Sequence, residues 1–600
     1  MNHVRVLFIS CLVVCLLASC KTDSKEGADT AALASCERTS NEVVLRLEAE
    51  PDMLNPILTT SGYANQLNYQ IFSFLLTIDP ETLEFIPQLA KELPTATPIE
   101  EGPYAGGTSY TYEIHEEAVW EDGSPVTGND YAFTLKAVLN PEVPAVRLRP
   151  HISLIKDVVV DEENPKRFTV VTDKRYFSGE EKTASTFPVM PANVYDPNGY
   201  LSDIAVSEFT DAKKVESLVT SDERLKKFAD EFKEAKYGRE VGFVSGSGPY
   251  KFAGWETGQE LVIEKKPDWW GDALASKYRS LEAFPDRLVF RPIKEASTAF
   301  QGLKAGEIDV VPSIDPATFM DMKEDPTVTD CYEFYSPSML AISYISINTN
   351  NPKLSDKRVR QALSHAIDAN AIIDQVFFGI GERLASPVHP SQPFYNKDLK
   401  IPEYDIEKAK ALLAEAGWTD TNQDGTVDKE IDGTREEMKI IYSFTNASAT
   451  AQRTALIIQE NARRAGIEIE LDGSAANGRE LVTRQRSGDY ELSGAGRSLA
   501  PNWEPRQNYH TQGDNRTGFG NADTDALMSK IQETLNQEER YKLYGELQEM
   551  IYDERPEIYV MTYSIRFAIH KRFDTPISAY FPGYFPNYMK LRSSQMAAGK

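Results

Sequence analysis

Beyond residue 17 the sequence has no apolar run as long as a membrane-spanning helix requires, about 20 residues. It is also short of cations: 64 Lys and Arg stand against 91 Asp and Glu, a formal net charge of −27. That deficit excludes nucleic acid as a partner, because a phosphate backbone demands a basic face. Otherwise an acidic surface mainly keeps a chain dispersed. Histidine is rare, with 7 in 600 residues and no pair at helical spacing, so no His-Glu-x-x-His metal motif exists. Cysteine is rarer still, with 5 residues at positions 11, 15, 20, 36 and 331 and neither Cys-x-x-Cys nor zinc-type spacing. Gly-x-Ser-x-Gly and phosphate-binding glycine loops are absent. Ser153-Leu-Ile-Lys156 fits the loose Ser-x-x-Lys pattern but lacks its companion motifs. The expectation is a protein that is not an enzyme and carries no cofactor.

The amino terminus holds a processing signal. His3 and Arg5 precede an apolar run over 6–17, which ends in Leu17-Ala-Ser-Cys20. This resembles a bacterial lipobox: residues 1–19 read as a lipoprotein signal peptide, cut before Cys20, whose sulfur then carries a diacylglycerol. Residues 20–40 are small and polar and read as a flexible tether. The expected mature protein is a body outside the cytoplasm, in the periplasm or cell envelope, held to the membrane by lipid. Cys36 and Cys331 remain; they either pair or stay free.

Six hundred residues exceed what one hydrophobic core supports, so two or more domains are expected. Near the middle, Gly246-Ser-Gly-Pro-Tyr250 opens a run through Val311 that reads as three strands, a helix over 299–305 capped by Ser297 or Thr298, and a returning strand. A meander that passes at once into helix and strand suggests a hinge between two sheet-bearing lobes. Helices are further predicted over 57–78, 129–138, 356–376, 406–415, 452–465, 524–535 and 537–553. A βαβ-like run spans 438–471. The charged stretch 205–240 reads as a solvated helical face. Asp420-Thr-Asn422-Gln-Asp424-Gly425-Thr426-Val-Asp428 matches the first half of a calcium loop, but Ile431 stands where a bidentate Glu is required. The assignment is no metal, with a tight acidic turn favoured over a calcium site.

Several motifs then occur in one order: Met53-Leu-Asn-Pro56, Phe85-Ile-Pro-Gln-Leu-Ala90, Tyr110-Thr-Tyr-Glu-Ile-His115, Trp120-Glu-Asp-Gly-Ser-Pro-Val126, Gly246-Ser-Gly-Pro-Tyr250, Asp268-Trp-Trp-Gly271, Leu303-Lys-Ala-Gly-Glu-Ile-Asp309 and Arg358-Val-Arg-Gln-Ala-Leu. Together they resemble the family-5 extracellular solute-binding proteins, the oligopeptide and dipeptide receptors of ATP-binding-cassette importers. The resemblance implies an α/β, two-lobed periplasmic-binding-protein-like fold (class II, cluster C type) with three domains and a central ligand cleft. The corresponding division is 41–72 plus 185–298 plus 555–600 for lobe I, 73–184 for an inserted domain, and 299–554 for lobe II.

The implied function is capture of oligopeptides between the lobes by a monomer, and delivery to a separate membrane permease and ATPase. The same clamp holding a glycan, nickel chelate or opine is the alternative, as is a binding or signalling receptor that transports nothing. The segment after the Leu-Asn-Pro start passes the ligand in this family, which points to Thr60, Ser61, Gly62 and Tyr63. The peptide receptors use an aspartate for the ligand's free amino terminus. In the matching stretch here, Pro501 stands at about that place, with Arg497, Asn502 and Trp503 around it and Glu504 as a substitute carboxylate. Arg147 and Arg497 are candidates for an anionic group, and Tyr63, Trp120 and Trp503 for stacking.

Overall fold

The computed structural model describes residue 36 and residues 38–592; Cys20, the leader and most of the tether lie outside the described residues. The described residues build six sheets, three of them large and three two-stranded, in two lobes. The first lobe is organised on a seven-stranded sheet in the order Tyr332–Tyr335, Phe567–His570, Val310–Val311, Glu42–Leu47, Arg287–Pro292, Glu260–Lys265, Tyr250–Glu256. Glu42–Leu47 runs parallel to both of its neighbours. The second lobe has a five-stranded sheet, Glu468–Ala475, Lys439–Thr445, Leu492–Ser498, Ser338–Ile347, Glu557–Ser564. Its βαβ unit is the one the periodicity predicts: Lys439–Thr445 and Glu468–Ala475 pair in parallel across the helix Ala449–Arg464. A four-stranded sheet, Thr95–Pro98, Thr108–Glu113, Arg167–Thr172, Ile155–Val160, lies within the segment 73–184 that the sequence reading assigns to an inserted domain.

The hinge is not where the sequence reading puts it. Strands 250–256, 260–265, 287–292 and 310–311 all belong to the seven-stranded sheet, so the central stretch is the interior of one lobe. The chain crosses between the two large sheets at residues 336–337, between Tyr332–Tyr335 and Ser338–Ile347, and again at 565–566, between Glu557–Ser564 and Phe567–His570. Residues 299–335, assigned above to the second lobe, therefore pair with the first. The strand Glu557–Ser564, assigned to the first lobe, pairs with the second. Strand alternation alone cannot reveal this, because each strand is locally regular and only its partner differs.

Other differences are local. The helix Ala296–Lys304 begins one turn earlier than predicted, so Ser297 and Thr298 lie inside it and cap nothing. The segment 57–78 holds a helix only over Gly62–Ile71 before the strand Leu76–Ile78. The helix predicted over 356–376 breaks at Ile367 into Lys357–Ala366 and Ala369–Phe377, because the Asp368 side chain accepts the Ala371 N–H at 2.9 Å and starts a second helix. Cys36 and Cys331 form a disulfide, with Cα atoms 5.2 Å apart, that fastens the end of the tether to the first lobe.

Two sequence motifs explain each other. The carbonyl of Ser247 accepts both indole N–H groups of Trp269 and Trp270, each at 2.9 Å. Gly246 and Gly248 lie so close to the end of Gly62–Ile71 that a Cβ would come within 2.4 Å of the Ile71 carbonyl oxygen and 2.5 Å of that of Gln70. Only glycine allows that approach.

One buried ion pair ties distant parts of the first lobe together. Asp309 and Arg572 have no side-chain exposure and meet in a bidentate pair at 2.9 Å for each contact. The same carboxylate accepts the Val44 N–H at 2.8 Å, and Arg572 donates to the carbonyls of Ser40 and Glu42. At the crossings, the Ser338 hydroxyl donates to Thr562 Oγ1 at 2.8 Å and meets His389 Nε2 at 2.9 Å. The Ser391 N–H donates to His389 Nδ1 at 3.2 Å. This arrangement suits a neutral ring with its hydrogen on Nε2, and burial holds His389 down at about 4.

Asp309→Asn should leave the Arg572 guanidinium buried without a counter-charge and cost about 3–5 kcal/mol in chemical denaturation. An Asp309→Leu/Arg572→Met double variant should lose clearly less than the two single changes added together. The buried histidines supply a second test. His115 is also lowered to about 4 by burial. The unfolded imidazoles take up protons near 6.5 and the folded ones do not, so stability contributed above 6.5 is lost as pH falls toward 4. Thermal melting of His389→Gln across that window should show a shallower acid slope than the wild type; an unchanged slope would place the sensitivity elsewhere.

Candidate functional site

The lobes meet where the inserted domain reaches the second lobe. The contact begins beside the short helix Gly179–Ala184, whose flanking turn presents Phe177 and Ser178. The Phe177 N–H donates to the Gln532 carbonyl at 3.0 Å, and its ring lies under the Arg540 guanidinium, 4.9 Å from the centroid. The Ser178 hydroxyl donates to Glu504, which also pairs with the Lys182 ammonium at 3.1 Å. One residue back along the helix, the Glu181 carboxylate accepts the Asn502 amide at 3.1 Å. Five polar side chains, Ser178, Glu181 and Lys182 on one side and Asn502 and Glu504 on the other, thus make the bridge.

The same groups close a ring with the first lobe. Tyr580 feels the charge of Glu181 and lies beside Tyr69; Tyr69 in turn feels Arg147, and His151 feels Arg147, Lys182 and Glu504. Tyr69 is 49% exposed, yet surrounding protein still pushes its phenol up. Burial also lowers His151 below its ordinary value and raises the Glu181 carboxyl. Asn502 and the neighbouring Lys182 oppose the rise at Glu181, and Glu504 adds to it.

Of the residues singled out from sequence, those of the 60–63 segment and Arg147 come together. The Arg147 guanidinium donates to the Thr59 carbonyl at 3.3 Å. Ser61 caps Gly62–Ile71, accepting from the N–H groups of Tyr63 at 3.2 Å and Ala64 at 3.4 Å. Gly62 faces open space, and the Thr60 N–H is held by Asp52 at 3.0 Å. Tyr63 turns its hydroxyl to Glu48 at 3.3 Å.

Two expectations do not survive, a free cation at Arg497 and ligand-stacking indoles at Trp503 and Trp120. Arg497 is neutralised by the buried Glu557, donates to the Tyr509 hydroxyl at 2.8 Å and lies 4.7 Å from the Tyr344 ring centroid, so it belongs to the second lobe's interior. Trp503 is 6% exposed and packs on Tyr544 with ring centroids 5.2 Å apart; Trp120 is 5% exposed. Both are core, since a fully packed indole has no face left for a ligand. The acidic loop satisfies its own oxygens. Asp420 accepts the N–H groups of Gln423 and Gly425, Asn422 accepts that of Asp424, and Asp424 accepts that of Thr426. Asp428 holds Thr421 and Arg435. Among the described residues no group of three or more Asp, Glu, His or Cys is arranged to hold a metal ion.

Sequence reasoning missed Tyr69, His151, Ser178, Glu181, Lys182 and Tyr580, and raised Glu504 only as a substitute. No local signal marks them, because the bridging partners are separated by 321 and 326 positions. Two other hollows, of about 340 and 450 Å³, are lined by charges already paired with one another, Arg279 with Glu81 and Arg360 with Glu554 among them.

Comparison with known proteins agrees with this architecture. The chain is 25% identical over 567 residues to the oligopeptide-binding protein AppA of Bacillus subtilis, covering 92% of this chain and 91% of that one. The structure of AppA in complex with a nonapeptide matches with a TM-score of 0.65 at 22% identity, over 92% of this chain and 99% of that chain. NikA from Brucella suis, in complex with Fe(III)-EDTA, matches with a TM-score of 0.70 at 18% identity, over 92% and 100%. The model of the bacterial extracellular solute-binding proteins, family 5 middle, covers residues 84–519, and with nearly three quarters of its length inside that match the chain belongs to this family.

Proposed function

We propose that this protein is the solute-capturing lipoprotein of an ATP-binding-cassette importer, and that its solute is a peptide bound between the lobes. It works by binding and handing over, not by catalysis. The observation that carries the reading is the junction itself: Glu181 and Lys182 of the inserted domain meet Asn502 and Glu504 of the second lobe. Opening the clamp would separate these pairs while leaving each lobe's sheet intact, because only residues 336–337 and 565–566 connect the two sheets. Solute then shifts the balance toward the closed form by its differential contacts with both sides. The nonapeptide held by AppA supports a peptide as the solute class. Cys20 supplies the lipid anchor, and a separate permease with its ATPase receives the closed form.

Native mass spectrometry of protein purified gently after export, with Cys20→Ala to release it from lipid, tests the solute class. The expected spectrum is a ladder of adducts that denaturation releases as short peptides. A single non-peptide mass would overturn the peptide assignment and keep the clamp. Added peptide at about 100 times its dissociation constant should also stabilise the fold by about 2.7 kcal/mol. Cys20→Ala should itself move the protein from the membrane fraction to the soluble one.

A further inference from the structure

The turn before the helix Gly179–Ala184 carries an apolar contact as well as polar ones. Its Phe177 is half-buried and lies against the corner where two helices of the second lobe, Ala522–Glu533 and Gln537–Glu554, meet. Three contacts hold it there. The Phe177 N–H donates at 3.0 Å to the carbonyl of Gln532, in the last turn of its helix, where carbonyls have no internal donor. The ring lies 4.9 Å from the Arg540 guanidinium and meets the Tyr544 ring edge-on, with centroids 6.3 Å apart. Arg540 is 8% exposed and forms no ion pair among the described residues. It donates to the carbonyls of Thr534 at 2.9 Å and Leu535 at 3.1 Å, and the Phe177 ring gives its charge an aromatic face. On the insert's side, the buried Tyr176 stacks on Phe177 with centroids 5.7 Å apart and planes 12° apart, so the ring projects from a fixed base.

All three contacts join protein to protein, and none needs solute. We propose that Phe177 is a latch that holds the clamp partly closed before solute arrives, and so sets a part of the affinity that is the same for every solute. A solute held by the closed form has an apparent dissociation constant equal to its intrinsic value divided by the closed fraction. A change at the latch alters that fraction alone. A residue that touches solute instead alters the affinity for some solutes more than for others. The latch rests on the two-lobe capture proposed above.

Two readouts test it, both in Cys20→Ala protein. The first is the distance between spin labels at Glu101→Cys in the inserted domain and Glu538→Cys in the second lobe, both exposed positions, measured without solute. Cys36 and Cys331 are paired and take no label. The second is calorimetric titration of tri-alanine and of tri-lysine. Phe177→Ala should lengthen the solute-free distance and weaken both peptides by one common factor, roughly three- to tenfold. Phe177→Leu, which keeps apolar bulk without the ring, should fall between. Arg540→Met should weaken binding too, and the double variant should lose less than the two single losses combined, because ring and guanidinium act on each other. An unchanged solute-free distance in Phe177→Ala overturns the latch. A loss that differs between the two peptides also overturns it and makes Phe177 a solute contact. The distance is read without solute, so binding of neither peptide by wild type overturns the peptide reading alone.

Discussion

The first lobe depends on a carboxylate that has lost all contact with water. Asp309 stands beside the strand Val310–Val311, accepts the Val44 N–H and pairs with Arg572, whose guanidinium reaches the carbonyls of Ser40 and Glu42. Three segments separated by more than 250 residues are thereby fixed at one point: the start of the folded body, its middle and its end. A pair of this kind is weak evidence for stability, because desolvation offsets most of the attraction. Removing one partner alone would be costly, because it would leave the other charge buried and uncompensated. Arg38 adds a third contact to Asp309 at 3.3 Å, and the Cys36–Cys331 disulfide closes the same corner covalently. The tether consequently leaves the body from the lobe whose sheet both chain ends complete.

That fixed lobe has a consequence for motion. If the ends and the middle are locked in one sheet, relative movement of the lobes has to concentrate where strands pass from sheet to sheet. There are two such places, side by side, and the hydroxyls of Ser338 and Thr562 join the strands there at 2.8 Å. His389 extends the link to the loop before the second lobe's outer helices. The strands that enter and leave the second lobe there are antiparallel neighbours, with Ser338 opposite Ser564.

Much of the architecture was legible because it is local. Helices such as Ile406–Glu415 and Gln537–Glu554 follow from apolar period and polar caps, and the βαβ unit of the second lobe follows from alternating periods. The motifs built on glycine and tryptophan were also visible, although the reason for them, Ser247 shared between two indoles, was not. Sheet membership was illegible: Phe567–His570 and Glu557–Ser564 are adjacent hydrophobic strands, and nothing in either says that a two-residue link sends them to different lobes. The site failed for the same reason. Arg497 looks like a free cation until Glu557 is seen against it, and Glu181 looks like one acid among many until Asn502, 321 positions away, is seen against it.

The modest strength of the junction is what makes it usable. Lys182 and Glu504 keep 11% and 28% of their side-chain exposure, so water screens their attraction and such a pair contributes on the order of 0–1 kcal/mol. Asn502 and Glu181 add one bond between a neutral donor and a carboxylate. A fully buried clasp like Asp309–Arg572 in the same position would hold the lobes shut whether or not solute were present, and a solute with no differential affinity changes nothing. In the proposed clamp a weak clasp would keep the open and closed forms close in free energy, so that a few solute contacts decide between them. The strong pair therefore lies inside a lobe, where nothing has to move, and the weak ones lie between the lobes.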